Sequence, residues 1–330
     1  MEENELNILI GIPGSGKTTF AKSKLFENCI YLSSDEIRKE LYGFENQDHN
    51  NEVFDLLHKR LFSALEQGKS VIYDATNLSE KRRKNIIERA KKYATVNAYL
   101  MCSPIAKILE RVMGRKRKIP WDKLETMIKT IQCPMYYEGF DNIYLIDTGM
   151  ENENYDYKSL LKKCDIPQDN PYHYETLKEH IERAVELTKE KRKKIKFSID
   201  YRILETAVKY HDMGKLYTKT YNPEKGYFTY YNHENISTYI FLCQIAKIRL
   251  RDRKNRVRLC DSDYQTAFLI QNHMKFYNGN IYKLKEIIKD DDLFNLLELL
   301  HETDENSRIG IWKEKLWKIQ KTISLMIIYL

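Results

Sequence analysis

Residues 6–19 read Leu-Asn-Ile-Leu-Ile-Gly-Ile-Pro-Gly-Ser-Gly-Lys-Thr-Thr, an apolar run that stops at a glycine-rich turn and passes into a segment of helical character reaching Phe26. Strand, loop and helix in that order are the setting a phosphate-binding P-loop requires. The glycines let backbone N–H groups close round phosphate oxygens, and the helix amino terminus adds its dipole. Gly14, Ser15, Gly16, Lys17, Thr18 and Thr19 are therefore the candidate nucleotide-binding residues. Lys17 would reach the outer phosphates and Thr18 would ligate magnesium, so ATP with Mg²⁺ is the expected cofactor.

Working outward, short apolar runs at 29–32, 70–73, 95–101 and 143–146 read as further strands, each separated by helical periodicity. Alternating strands and helices predict an α/β domain, a parallel sheet with helices on both faces. The pattern changes after Gly149: 151–157 is polar, 165–172 carries two prolines, and from Leu177 onward nearly everything reads as amphipathic helix. One break, Tyr217 to Tyr231, contains Pro223, Gly226 and several tyrosines and predicts a loop or small hairpin. At 330 residues the chain exceeds a typical single core, so the expectation is two domains, 1–150 and 169–330, joined by a linker at 151–168.

The net charge of +7 gathers at Lys81–Lys84, Arg115–Lys118, Lys191–Lys196 and Arg249–Arg258, which suits a polyanionic partner, although solvated helix faces have the same look. The six cysteines are scattered without a Cys-x-x-Cys pair, which argues against a zinc knuckle or a disulfide framework. The amino terminus is acidic where a signal peptide would be basic, and the longest apolar run near the end, Ser324–Leu330, is too short to span a bilayer. A cytoplasmic protein without membrane association is expected.

Three segments bear on which group receives the phosphoryl. Ser33-Ser34-Asp35-Glu36-Ile37-Arg38 follows a strand and sets an acid three residues from a cation; Asp35 could accept a hydroxyl proton, yet Ser34 or Asp35 could equally be a helix cap. The strand 71–74 delivers Asp74 to its carboxyl end, followed by Ala75, Thr76 and Asn77, a position suited to magnesium or acceptor contact. Arg111, Arg115, Lys116, Arg117 and Lys118 precede Ile119-Pro120 as a cationic stretch that could close over the phosphates.

In their order, these segments resemble the polynucleotide kinase family of P-loop phosphotransferases over roughly residues 6–148, and Glu138-Gly139-Phe140-Asp141 fits the same pattern. The resemblance implies that Asp35 activates a 5′-hydroxyl, that Arg38 holds the acceptor's phosphate backbone, and that Arg115 or Arg117 clamps the ATP phosphates. Asp74, Thr76 and Asn77 would face the substrate.

Six of the eight histidines fall after residue 170: His173, His180, His211, His233, His273 and His301. With Asp212 and Asp304 they offer a nitrogen and oxygen set that suits Mn, Fe, Ni, Co or Mg better than structural zinc. Their spacing resembles the all-helical HD phosphohydrolase superfamily: His180, the His211-Asp212 pair within His-Asp-Met-Gly-Lys, and a distant Asp304. The resemblance implies that His233 and His273 complete a binuclear centre and that Lys215 touches the scissile phosphate. Asp261, Asp263 and Asp290–Asp292 compete with Asp304 for the last ligand position.

Together the two halves predict an end-healing enzyme for RNA or DNA. The first half would phosphorylate 5′-hydroxyl ends, and the second would remove a 3′-phosphate, 2′-phosphate or 2′,3′-cyclic phosphate. A nucleic-acid ligase, which needs such ends, would act downstream. A nucleotide kinase fused to a nucleotidase is the alternative within enzymes, and an ATP-switched binding or signalling protein the alternative outside them.

Overall fold

The computed structural model describes residues 4–43, 49–115, 119–150, 156–249, 256–277, 279 and 281–310. From the amino terminus run β1 (Glu5–Ile10), α1 (Lys17–Ala21), β2 (Ile30–Ser33), α2 (Ser34–Tyr42), α3 (Asn50–Glu66), β3 (Val71–Asp74), α4 (Glu80–Ala90), β4 (Thr95–Cys102), α5 (Ile105–Met113), α6 (Trp121–Lys129) and β5 (Asn142–Asp147). There follow α7 (Tyr157–Lys163), α8 (Leu177–Lys191), α9 (Ser198–Tyr210), α10 (Lys215–Thr218), β6 (Thr220–Asn222), β7 (Tyr227–Thr229), α11 (His233–Arg249), β8 (Val257–Arg258), α12 (Asp261–Asn272), α13 (Ile281–Ile288) and α14 (Asp291–Ser307).

Five parallel strands and one antiparallel edge strand form a sheet in the order β2-β3-β1-β4-β5-β8. β3 is buried at every residue and β1 and β4 at all but their first, the burial that a sheet covered on both faces requires. A ladder of side-chain amides crosses it: Asn97 donates to Asn7 at 3.1 Å and Asn142 donates to Asn97 at 2.9 Å, which pins the register of β1, β4 and β5. That register sets Ser33 of β2 opposite Asp74 of β3, and Asp74 opposite Leu9 of β1, so three carboxyl ends meet at one edge. Ligands of open α/β sheets bind at this edge.

The chain divides into two units, Met1–Glu153 with Phe241–Tyr264, and Asn154–Ile240 with Gln265–Leu330. This differs from a single cut followed by one domain over 169–330. β8 is a two-residue strand that hydrogen-bonds to β5 and belongs with the first unit, while 250–255 lie outside the described residues. The expected linker 151–168 also carries α7, while 151–155 lie outside the described residues.

The basic clusters are not uniformly solvated. Arg83, within Lys81–Lys84, lies with Ile86, Ile87 and Ala90 on the buried face of α4. Both Arg83 and Glu138 have fully buried side chains and pair at 2.7 Å, and Arg83 also donates to the carbonyls of Asn77 and Gln132. Glu138 in turn accepts from the Met135 N–H at 2.8 Å, which explains the Glu138-Gly139 element physically. Arg83→Met should lower the stability of the first unit by about 3–5 kcal/mol, because it strands a buried carboxylate. An earlier urea-unfolding transition reads this, and adding Glu138→Leu should restore part of the loss.

In the second unit α8, α9 and α14 pack against one another. Thr176 and Glu179 form a capping box that starts α8. Leu177, His180, Ile181, Ala184 and Thr188 then fall on its buried face at helical spacing, so a histidine is carried into the core. Among the described residues no helix is long and apolar enough to cross a membrane.

Candidate functional site

The first site is built on the loop between β1 and α1. Gly14 has φ +91°, and a Cβ there would meet Val112 Cγ2 at 2.8 Å and the Ile108 carbonyl oxygen at 3.1 Å, so only glycine fits. Gly16 precedes α1, Thr18 and Thr19 lie exposed in its first turn, and the buried Ser15 hydroxyl has no hydrogen-bond partner. Lys17 Nζ donates to the carbonyls of Gly11 and Ile12 at 2.8 and 3.2 Å. Burial lowers its pKa to about 8; Asp74 and Asp35 oppose the shift and Arg115 adds to it. Lys17 thus lies in the field of the other candidate residues.

Asp74 ends β3 and accepts from Thr18 Oγ1 at 2.9 Å and Tyr31 Oη at 2.8 Å. The Thr18 hydroxyl and Asp74 carboxylate therefore stand together as hard oxygen donors suited to magnesium. Thr76 and Asn77, expected to face substrate, also hold the loop: the Gly11 N–H donates to the Thr76 carbonyl at 3.1 Å, and the Asn77 amide donates to the Leu9 carbonyl at 2.7 Å. Tyr31, which the sequence reading passed over, lies on β2 where strand alternation alone offered no functional signal.

The start of α2 resolves the capping alternatives. Ser33 Oγ accepts from the N–H groups of Asp35 and Glu36, so Ser33 is the cap and neither Ser34 nor Asp35 is needed for it. The Asp35 carboxylate, about half exposed, lies 3.2 Å from Arg38 Nη1, while the Arg38 side chain is 4% exposed and donates to Asn50 Oδ1 at 2.6 Å. Of the cationic stretch, Arg111 is drawn inward: it donates to the carbonyls of Thr148 and Gly14 and to Ser103 Oγ, bracing the loop. Arg115 is exposed beyond the end of α5. Arg117, with Lys116 and Lys118, lies outside the described residues.

The second site lies within the helical unit. Helix α8 brings His180, the end of α9 brings His211 and Asp212, α11 opens with His233, His273 follows α12, and α14 carries Asp304; all six are buried. Asp212 links two groups of ligands. Its Oδ2 lies 3.2 Å from His180 Nε2 and 3.5 Å from His211 Nε2, and its Oδ1 lies 3.0 Å from His233 Nε2 and 4.0 Å from His273 Nε2. Asp304 Oδ1 completes the first group at 3.2 Å from His180 and 3.6 Å from His211. Two of its competitors are engaged elsewhere: Asp290 caps α14 and Asp263 pairs with Arg249.

Orientation of the rings tests whether these residues suit a metal. His211, His233 and His273 each turn Nδ1 to a backbone carbonyl, those of Val208, Tyr230 and Ile270, at 2.8, 2.8 and 2.7 Å. A carbonyl can only accept, so Nδ1 carries the hydrogen and Nε2 presents a lone pair inward. The Nε2 atoms of His233 and His273 then face each other at 3.2 Å, an arrangement that calls for a proton or a cation. His180 Nε2, His211 Nε2 and Asp212 Oδ2 are buried without a well-aligned hydrogen bond, although Asp212 Oδ2 is ion-paired with Lys215 and His180. Poorly aligned buried polar atoms cost free energy that a divalent ion would recover. The set fits such an ion, with Asp212 able to serve two.

Charge around the site is strongly coupled. Burial disfavours protonated His180, but Asp212, Asp304 and Glu175 outweigh it and hold its pKa up to about 10. Burial, then the neighbouring His233 and His211, push His273 down to about 3. Lys215 Nζ lies 2.7 Å from Asp212 Oδ2 and 3.0 Å from Gln168 Oε1. Two residues outside the sequence reading's candidate set support the site. Glu175 accepts from or faces His173 Nδ1 at 3.1 Å and His180 Nδ1 at 3.4 Å, an outer carboxylate that orients a ligand ring. Gln168 joins Lys215 to the loop before α8. His301 stacks on Phe276 at 4.3 Å and stands apart from the ligand groups.

Comparison with known proteins agrees with the P-loop reading of the first unit. Residues 6–134 match the family described as an AAA domain. The chain is 32% identical over 174 residues to L-seryl-tRNA(Sec) kinase of Methanococcus maripaludis, covering 48% of this chain and 64% of that protein. It is 28% identical over 151 residues to a protein of Acanthamoeba polyphaga mimivirus named as a bifunctional polynucleotide phosphatase/kinase, covering 43% of this chain and 32% of that one. It therefore spans less than two thirds of either curated relative. A chain in the structure of the Pnkp1/Rnl/Hen1 RNA repair complex is similar with a TM-score of 0.36 and 22% identity, covering 40% of this chain and 45% of that one.

Proposed function

We propose that this protein heals nucleic-acid ends, phosphorylating 5′-hydroxyls with ATP in its first unit and removing terminal 2′- or 3′-phosphates in its helical unit. The observation that carries the first half is the pairing of half-exposed Asp35 with buried Arg38 at the start of α2, which directly follows the strand beside β3 and its Thr18–Asp74 pair. Asp35 would take the proton of the attacking hydroxyl, Arg38 would anchor the acceptor's phosphate, and Lys17 with the loop N–H groups would hold the ATP phosphates. Both curated relatives are named as kinases, one for an RNA-borne hydroxyl and one for polynucleotides, which supports a nucleic-acid acceptor.

In the helical unit His180, His211, Asp212 and Asp304 would hold one divalent ion and Asp212, His233 and His273 another. Such ions, when bound, supply Lewis-acid polarisation of a phosphate and an acidified water. Lys215 would neutralise phosphate oxygens, and the buried surroundings would exclude bulk water. Mn, Fe, Ni, Co or Mg are the candidates from the ligand chemistry.

A second reading, that the acceptor is the serine hydroxyl of a seryl-tRNA, is favoured by the 32% identity over 174 residues. ATP supplied with a 5′-hydroxyl, 3′-phosphate oligonucleotide, as RNA and as DNA, and separately with seryl-tRNA, separates the two. Wild type should change both oligonucleotide ends, and Lys17→Ala should lose only 5′ phosphorylation. Unchanged ends would defeat the end-healing reading, and transfer to seryl-tRNA alone would establish the second.

A further inference from the structure

Between Lys215 and Tyr231 the sequence gathers five tyrosines, one phenylalanine and three lysines against a single acid, Glu224. The β6–β7 hairpin pairs Tyr221 with Phe228 across its strands, their rings 5.4 Å apart, and Tyr172 meets Tyr227 edge to face at 6.1 Å. These aromatics are not core: Tyr172 and Tyr231 are 57% and 59% exposed, and Tyr227 is part-exposed on the hairpin face opposite the Tyr221–Phe228 pair, as strand alternation requires. A cation lies among them, Lys225 Nζ, 2.9 Å from the Tyr231 hydroxyl and 5.5 Å from its ring, whereas Lys219, over the Phe228 ring, is paired with Asp169 Oδ2 at 2.6 Å.

The hairpin is fastened to the phosphate end of the helical site. The Phe228 N–H donates to the Asp169 carbonyl at 3.2 Å, the Tyr230 hydroxyl donates to the Gln168 carbonyl at 2.6 Å, and Lys219 bonds the Pro167 carbonyl at 2.7 Å. The same loop reaches Lys215 through Gln168 Oε1, and Lys215 lies 5.5 Å from the Tyr230 ring. The Tyr230 carbonyl also orients His233. Gln168 Nε2 is buried beside these groups without a hydrogen-bond partner, a donor suited to a ligand oxygen.

Exposed rings interleaved with cations are what single-stranded nucleic acid requires, since every base has a face to stack and every nucleotide a charge to neutralise. We propose that Tyr172, Tyr227 and Tyr231 form a stacking platform for the single strand leading to the phosphate removed in the helical unit, which rests on the phosphohydrolase reading above. The platform makes the preferred substrate a terminal phosphate on an unpaired strand rather than on a mononucleotide or a blunt duplex.

The test uses the full chain loaded with Mn²⁺ and the triple variant Y172A/Y227A/Y231A. A fluorescent single-stranded RNA carrying 5′- and 3′-phosphates reports binding by anisotropy, and release of its 3′-phosphate reports turnover. Binding should weaken and KM rise by about 5-fold or more with kcat retained, the scale of one lost base stack. Hydrolysis of a nucleoside 3′-monophosphate and binding of a blunt duplex should stay unchanged, and Y172F/Y227F/Y231F should behave as wild type. Equal losses on mononucleotide and strand, equal losses on duplex and strand, or unaltered strand binding would each overturn the platform. Tyrosine-dependent strand binding without phosphate release would keep the platform and remove the phosphohydrolase reading.

Discussion

Asp35→Asn should reduce 5′-hydroxyl phosphorylation by about 100- to 10,000-fold, the range lost when a positioned general base is removed. The substitution is nearly isosteric, and its side chain caps nothing, because the α2 cap is Ser33. Arg38 keeps its bond to Asn50 and its place under the helix, so acceptor anchoring persists. ATP binding depends on the loop from Gly14 to Thr19 and should be unchanged by calorimetry. The helical unit's hydrolysis, followed in the same preparation, is the control for folding. Transfer within tenfold of wild type would remove Asp35 from the role of base and leave it as Arg38's partner.

How far the sequence was readable differs between the two sites for physical reasons. The loop from Gly11 to Thr18 was legible because its requirements are local: glycine torsion, one lysine and one hydroxyl, all within a single turn. The status of Asp35 was not, since Ser33, Ser34 and Asp35 can all cap a helix. The N–H groups of Asp35 and Glu36, which both donate to Ser33 Oγ, fix which of them does. The charge reading failed at Arg83 for a related cause. Its neighbours Lys81, Arg82 and Lys84 make it look solvated, yet the spacing of 83, 86, 87 and 90 already marked it as a core position. Strand β8 was invisible because two residues have no periodicity and its partner β5 lies over a hundred residues away.

In the helical unit the six metal-ligand candidates were readable by residue type and order, and the structure brings them together. Gln168 and Glu175 were not, because they sit in the irregular stretch before α8, where no periodicity distinguishes a supporting side chain from a solvated one. Their significance comes from distances to Lys215 and His180. Asn77, noticed in a motif, also braces the end of β1, which the motif alone does not reveal.

Asp212→Asn should lower phosphate removal by more than about 100-fold, beyond the usual cost of losing an outer partner of a metal site. Asp212 is the one carboxylate whose two oxygens face both ligand groups, so the change weakens both positions at once. An amide keeps the shape, offers one neutral oxygen and brings an N–H that repels a cation. Lys215 would lose its buried counter-charge, so the apo variant should also be less stable. Two readings independent of turnover follow. Metal retained after dialysis, measured by elemental analysis, should fall, and the rise in unfolding temperature that added Mn²⁺ gives wild type should shrink, since a ligand stabilises only in proportion to its affinity for the folded state. Kinase transfer by the same protein should stay at the wild-type level, because Lys17, Asp35 and Asp74 belong to the other unit. A variant that keeps both its metal-dependent temperature shift and its hydrolysis would show that the buried histidine and aspartate set is a structural ion network, in which His180 and Lys215 serve only to neutralise two carboxylates.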